Sequence, residues 1–343
     1  MKANKEPPTL TDIAKAAGVS VMTVSRALRD APKVSEKRRA QIRKIAEEMG
    51  YRPNPEMSRL MAIMRQTRTK RSASVMALVN TFTRNVLEHD NEHLKTFYEG
   101  ARARAAKLGF VPELFSIGDE NISDQRLSKI LYTRGIESVV ILPFPYERTS
   151  LDLDYRKFYV AAVGRSQSEQ SFHRACPNQF QSTRLSLQRC HELGYKRPGL
   201  ILRSVMDRRS GYRYSAAYLQ YFYENPDREA LPIINLQPYS STGLDGWLKA
   251  NKPDVILGLG PRTLSLIREM GLRVPEDIGF INLSKLDDDG EISGVDNQFE
   301  EVGAAAVDLV VSQMHSFDRG LSEHPKTVLI NGTWVEGETT RPQ

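Results

Sequence analysis

The stretch LTDIAKAAGVSVMTVSRAL, residues 10–28, reads as two short helices joined by a tight turn. Ile13, Ala14 and Ala17 recur at i, i+1 and i+4, on one apolar face of a first helix. Gly18 follows, free to take the left-handed conformation a sharp turn needs. Val19 buries beneath the turn, and Ser20 has the side chain of a helix N-cap. In the second helix Val24 and Leu28, at i and i+4, face inward, which leaves Val21, Met22, Ser25, Arg26 and Arg29 outside. Two helices joined this way form a helix-turn-helix, which lays the N-terminal part of its second helix in the major groove of DNA. A plain helical hairpin with a solvated charged face has the same apolar spacing, so the flanking sequence has to decide between them.

The continuation favours the DNA reader. Ser35 caps a third helix over 36–49, with Ile42, Ile45, Ala46 and Met49 as its apolar stripe, and Gly50 ends it at the C′ position. Tyr51-Arg52-Pro53-Asn54 follows. Taken in order, residues 9–28, Val34-Ser35 and residues 50–54 form a dense pattern that resembles the lactose-repressor (LacI/GalR-type) family of bacterial transcription regulators. The resemblance implies an N-terminal all-α helix-turn-helix domain at 1–56, a hinge helix and basic linker at 57–73, and an α/β two-lobed, periplasmic-binding-protein-like core at 74–343. It matches Val21, Met22 and Arg26 to positions that face base edges, and Ser20, Thr23, Ser25 and Lys33 to positions near phosphates. Thr9, Arg29, Arg52 and Asn54 complete the expected DNA contacts.

Charge is divided in the same way. Residues 1–71 hold 17 Lys and Arg against 7 Asp and Glu, a net +10, on a chain whose total is +6. The remainder therefore carries −4. A basic head on a mildly acidic body is the electrostatic footprint of a nucleic-acid-binding module attached to a separate domain. Two cysteines, Cys176 and Cys190, cannot make a disulfide framework and read as reduced thiols. The opening MKANKEPP is polar and unlike a signal peptide, and no apolar run reaches the length of a membrane span. The expected location is the cytoplasm, at the nucleoid, with no membrane partner.

In the linker, Met57, Leu60, Met61 and Met64 fall at i, i+3, i+4 and i+7 behind Pro55. In the resembled family a hinge helix here pairs between two subunits, and a leucine from each wedges into a base step of the minor groove. Leu60 matches that leucine by its distance from Pro53. Such a wedge unstacks the step and bends the duplex. The stripe also reads as a simple dimer seam. Arg65, Arg68, Lys70 and Arg71 make the following stretch longer and more basic than the family pattern.

From residue 74 onward, strands and helices alternate. Strands are expected at 74–82, 110–115, 138–143 and 159–164, then at 198–203, 234–239, 254–260 and 278–283. Helices are expected at 91–108, 124–132, 178–193, 210–224, 242–250 and 263–270. Alternation of this kind builds parallel sheets covered on both faces, and two series imply two lobes. The resemblance implies that the first lobe takes about 74–164 and 295–322, the second about 165–294 and 323–343. A helix at 300–315 returns to the first lobe, and a last strand over TVLINGTW to the second.

A ligand is expected between the lobes, at the carboxyl ends of the strands. The residues there are Asn80, Phe82, Phe144, Arg165, Gly260 and Ser284, with Arg209, or its neighbour Arg208, matching an effector-binding arginine of the family. The chain departs from the family at Gly260-Pro261, where Asn-Asp is usual, and at Ser284, where Asp is usual. An unusual ligand, a ligand held by other residues, or a core that only dimerises would each account for this. No cofactor or metal is expected. His89 and His93 lie four apart but lack a third ligand, 287–290 lacks the alternation of a calcium loop, and Gly258-Leu259-Gly260 is too short for a phosphate loop. No nucleophile has a plausible base, so the chain is expected not to be an enzyme. The expected protein is a homodimeric, sequence-specific DNA-binding repressor responsive to a small-molecule effector. The alternative is a solute-binding protein or enzyme with an incidental basic head.

Overall fold

The computed structural model describes residues 8–28, 34–51, 74–120, 122–167, 169–236, 243–286 and 290–341. The chain divides into two compact units, Met1–Arg71 and Ser72–Gln343.

The described part of the first unit is three helices, α1 (Leu10–Ala17), α2 (Val21–Leu28) and α3 (Glu36–Glu48). Their core is Ile13, Ala14, Ala17, Val24, Ala27, Ile42 and Ala46. α1 opens on a capping box: the Thr9 hydroxyl accepts from Asp12 N, and Thr9 N donates to the Asp12 carboxylate at 2.9 Å. These bonds satisfy backbone donors that a helix start otherwise leaves bare, and the Thr9 hydroxyl, which donates to the Asp12 carboxylate at 2.6 Å, together with Thr9 N holds that carboxyl below its usual pKa. Gly18, at φ 63°, ends α1, and Val19 N closes back on Ala14 O. Two expectations are corrected. Ser35 occupies the N-cap position of α3 but makes no side-chain cap bond. Met49 is exposed, because Gly50 turns the chain at φ 71° and Tyr51 packs against the core instead.

The second unit contains two six-stranded sheets. The first has the order β11-β5-β4-β3-β1-β2 and is parallel throughout. Its strands are β1 (Val75–Asn80), β2 (Val111–Ser116), β3 (Ser138–Ile141), β4 (Tyr159–Val163), β5 (His173–Pro177) and β11 (Thr327–Ile330). Alternate residues of β1 enter opposite cores: Met76 and Leu78 face one, Ala77 and Val79 the other. Strands buried on both faces read as continuous apolar runs for this reason. Helices α4 (Glu92–Lys107) and α12 (Phe299–Ser316) cover one face, and α6 (Asp124–Thr133) the other; the short α5 (Ile117–Glu120) follows β2.

The second sheet has the order β12-β10-β9-β8-β6-β7, with only β12 antiparallel. Its strands are β6 (Pro198–Leu202), β7 (Ile234–Asn235), β8 (Val255–Gly258), β9 (Gly279–Lys285), β10 (Gly294–Asp296) and β12 (Thr333–Val335). α7 (Gln179–Glu192) and α9 (Arg213–Glu224) line one face, α10 (Leu244–Asn251) and α11 (Pro261–Glu269) the other, and α8 (Ser204–Ser210) follows β6.

Four boundaries differ from the sequence expectation. β5 was not expected and joins the first sheet, so the chain first crosses to the second lobe after Pro177 rather than at 165. β10 still belongs to the second sheet, so the return comes at α12 and not at 295. The helix expected at 210–224 starts at Arg213 instead, and an unexpected short helix, α8, precedes it, the two separated by Gly211 and Tyr212, both in the left-handed region. The last expected strand divides at Asn331-Gly332, β11 pairing with β5 and β12 with β10. The residues after Leu236 in the strand expected at 234–239 lie outside the described residues.

The three crossings between lobes are tied together. Asn178 donates its side-chain amide to Asn331 at 2.8 Å, Ser182 its hydroxyl to Asn297 at 2.6 Å, and Gly332 N bonds the Gln181 side chain at 3.1 Å.

α4 and α12 meet at backbone distance. A Cβ on Gly100 would stand 2.0 Å from Glu300 O, and one on Gly303 would stand 2.1 Å from Phe97 O. Gly303→Ala is expected to destabilise the second unit by about 1–3 kcal/mol, since neither backbone can retreat without the other. Denaturant unfolding checks this, and an unchanged midpoint would show that the helices separate freely. Thr9→Ala is expected to cost about 0.5–2 kcal/mol of α1 stability through loss of the cap. Hydrogen exchange of the α1 amides should accelerate accordingly, while exchange in the sheets of the second unit stays as it was.

Candidate functional sites

The first site is the outer face of α2. Ser20 starts the helix: its hydroxyl accepts from Thr23 N at 3.2 Å and lies 2.9 Å from the Thr23 hydroxyl. With Val24 and Ala27 buried beneath, Val21 is 38% exposed, Met22 is 63% exposed and Arg26 is exposed. Ser25 and Thr23 are half-buried at the helix flanks, and Ser20 and Thr9 are exposed. Exposed valine and methionine at the start of a short capped helix, one turn before an arginine, offer apolar surface and a planar donor fork on one face. Arg29, Lys33, Arg52, Asn54 and Leu60 lie outside the described residues.

The second site is a cavity of about 330 Å³ between the lobes of the second unit. Its apolar wall includes Phe82, Phe97, Phe144, Tyr146, Met206 and Phe299. Its polar groups include His93, Arg165, Gln179, Arg209 and Ser284. His93, Arg165, Gln179 and Ser284 stand at or near the carboxyl ends of strands or at the starts of helices, and Arg209 stands in the last turn of α8.

The lobes touch across this cavity on two sides. Arg209, on α8 of the second lobe, donates to the backbone carbonyl of Phe144 in the first lobe, and its guanidinium lies 5.1 Å from the centre of the Tyr146 ring. Arg203 approaches the same ring at 5.3 Å, and the Tyr146 hydroxyl meets Met206 Sδ at 3.3 Å. On the other side, His93 Nε2 of α4 lies 3.1 Å from the Ser284 hydroxyl of β9. Phe299 sets the His93 ring by an edge contact, with centroids 4.9 Å apart. Burial holds the Arg209 pKa below its usual value, against the raising effect of Tyr146 and Glu147.

Five residues expected at the ligand site, Phe82, Phe144, Arg165, Arg209 and Ser284, stand at this wall. Two do not. The Asn80 side chain is fully buried, donating to Phe82 O at 3.1 Å and the Ser116 hydroxyl at 3.0 Å while accepting from Phe82 N. Its polar atoms hold the turn after β1 and do not reach the cavity. Gly260 sits at the N-cap of α11 with φ 72°, and its N–H bonds the Asn282 side chain at 2.9 Å. Asn282 thus does for β8 and β9 what Asn80 does for β1.

Sequence reading missed His93, Tyr146, Gln179 and Met206. His93, set aside above for want of a third metal ligand, stands in the first turn of a helix that Asn91 caps, and packs on Phe299. Its partner in the suspected pair, His89, is exposed beside Glu88. Both cysteines are buried and free, and burial pushes both thiols up in pKa, which leaves them protonated and unreactive. Among the described residues, no helix is long and apolar enough to cross a membrane.

Residues 9–54 match the bacterial regulatory proteins of the lacI family, and residues 187–340 match the periplasmic binding protein-like domain. Over 340 residues the chain is 22% identical to the HTH-type transcriptional repressor CytR of Escherichia coli strain K12, covering 92% of each protein. Its fold is similar to that of the Lac repressor dimer bound to operator and the anti-inducer ONPF, with a TM-score of 0.56 and 19% identity over 98% of this chain and 99% of that one. It is also similar to the transcriptional regulator CelR in complex with cellobiose, with a TM-score of 0.54 and 20% identity over 97% and 99% of the two chains. A capped helix on a basic head, followed in the chain by two largely parallel sheets that border a cavity, agrees with these two matches, a lacI-family domain at residues 9–54 and a periplasmic binding protein-like domain at residues 187–340.

Proposed function

We propose that this protein is a homodimeric transcription repressor that binds a palindromic operator through α2 and takes a small-molecule effector in the cavity between its lobes. The observation that carries the reading is the face of α2, where Val21, Met22 and Arg26 are exposed on a helix capped by Ser20 and seated on the core of the head. Arg26 reads a guanine through its O6 and N7, and the two apolar residues meet thymine methyls. Ser20, Thr23, Ser25 and Thr9 face phosphates, joined by Arg29, Lys33, Arg52 and Asn54, while Leu60 takes the minor-groove wedge. The relative CytR is a repressor, and the structural neighbours include a repressor dimer on its operator and a regulator with a bound sugar.

The cavity supplies the switch. A ligand shifts DNA affinity only by binding two core states unequally. The contacts of Arg209 with Phe144 and of His93 with Ser284 exist only while the lobes stand close, so a ligand that completes the closed cavity favours that state. Such a protein acts by binding rather than by catalysis, and its place is in the cytoplasm, with the DNA.

Selection from a random duplex library with the full chain tests the reading. A near-palindromic site is expected, with half-sites about one helical turn apart, and affinity should fall steeply with salt, by about 0.9 logarithmic units per phosphate contact. Arg26→Ala should relax preference at one symmetric position per half-site by about 1–3 kcal/mol. An unchanged preference matrix would place α2 elsewhere than in the groove, and recovery of no enriched site would remove the regulator reading.

A further inference from the structure

The cavity wall carries more positive charge than its own carboxylates answer. Arg165, just past the end of β4, lines the cavity, and among the described residues it forms no ion pair. Arg213, at the start of α9, stands beside it: a Cβ on Gly211 would lie 3.5 Å from Arg165 Nε and 3.6 Å from Arg213 Nη1. The Arg213 guanidinium donates to the neutral Ser210 backbone carbonyl at 2.9 Å and forms no ion pair among the described residues. Burial and then the charge of Arg165 hold its pKa below the usual guanidinium value. Arg174, on the adjacent strand β5, is buried, and its Nη2 donates to the carbonyls of Gln167 and Gln170, neutral acceptors that leave its charge unanswered. Arg209 likewise donates to carbonyls. Glu147, the carboxylate at the cavity wall, is exposed and forms no ion pair with any of these arginines among the described residues.

Two further features lie at the same end of the first sheet. The 14-residue helix α7 begins at Gln179, on the cavity wall, so its positive end faces the site. Gln179 Oε1 is buried with no hydrogen-bond partner among the described residues. A buried acceptor without a donor is costly unless a ligand supplies one. The rest of the wall is aromatic and apolar, and about 330 Å³ is the size of a small metabolite site.

Resting on the reading of the cleft as an effector site, we infer that its effector is an organic acid. One anionic group, a carboxylate or a phosphate, sits against Arg165 with Arg213 behind it. A hydrogen-bond donor of the ligand reaches Gln179 Oε1, and the carbon body lies among Phe82, Phe144 and Phe299. The acid supplies the counter-charge that the protein omits, and charge-assisted bonds to a guanidinium are the strong ones. A neutral sugar leaves both arginines unanswered.

The test titrates the full chain calorimetrically with two matched pairs, 4-hydroxybenzoate against 4-hydroxybenzyl alcohol and glucose 6-phosphate against glucose. The acid of at least one pair is expected to bind at least about tenfold more tightly than its neutral partner, and Arg165→Gln is expected to weaken it by about 10- to 100-fold. The pair that responds distinguishes carboxylate from phosphate. In the absence of ligand, Arg165→Gln is expected to raise the thermal midpoint, because it relieves repulsion with Arg213. A neutral member that binds as tightly as its acid leaves the cleft an effector site and overturns the organic acid. Heat from none of the four at millimolar concentration overturns both. A fall in the thermal midpoint of Arg165→Gln makes the guanidinium a structural group and also overturns the proposal.

Discussion

Everything in the larger unit depends on where its chain passes between the lobes. Three crossings are drawn together by Asn178, Asn331, Ser182 and Asn297, whose side chains bond one another across more than a hundred residues of sequence. Asn297 is buried and also donates to Leu283 O at 2.8 Å. The buried Ser182–Asn297 bond costs free energy if either partner is lost, so this crossing is the firmly fixed one, and the exposed Asn178–Asn331 bond adds to it. With the crossings fixed, the carboxyl ends of the strands in both sheets border one space, and the residues that follow them can only face one another. The cavity is a consequence of that topology rather than of any local motif.

Helix α12 shows how far the constraint reaches. The chain arrives at it from the second sheet, through Gln298 at φ 54°, yet the helix completes the core of the first. It can do so only by lying on α4 with no side chain between their backbones at Gly100 and Gly303. Phe299, at its first turn, then serves two purposes: it packs against Phe97 at 4.9 Å and holds the His93 ring toward Ser284. A packing requirement in the first turns of the helix thereby also positions a contact between lobes.

In the described part of the head the three helices were legible, because a three-helix core of this size leaves few positions undetermined. Ile13, Ala14, Ala17 and Val24 could occupy no other face. Most strands were legible because burial on both sides makes them apolar throughout. β5 was not: His173 and Arg174 look like surface residues, and their burial rests on bonds from Lys326 N and to the carbonyls of Gln167 and Gln170. The start of α9 at 213 rather than 210 was hidden because Tyr212 adopts a left-handed backbone that its residue type disfavours. At the cavity, strand ends pointed to Phe82, Phe144, Arg165 and Ser284, but the same rule selected Asn80 and Gly260, which shape turns. His93, Gln179 and Met206 come from helix starts, and no periodicity marks which side of a helix start looks into a cleft.

The closing contact of Arg209 has a bearing on how such proteins diversify. Its acceptor in the opposite lobe is the main-chain carbonyl of Phe144, which every amino acid supplies. The side chain at 144 meanwhile forms part of the cavity wall. Substitution at 144 can therefore recast the shape offered to a ligand while the bond that draws the lobes together stays in place. Recognition and closure are written in different atoms of the same residue, so a lineage can exchange one effector for another without first surrendering its switch.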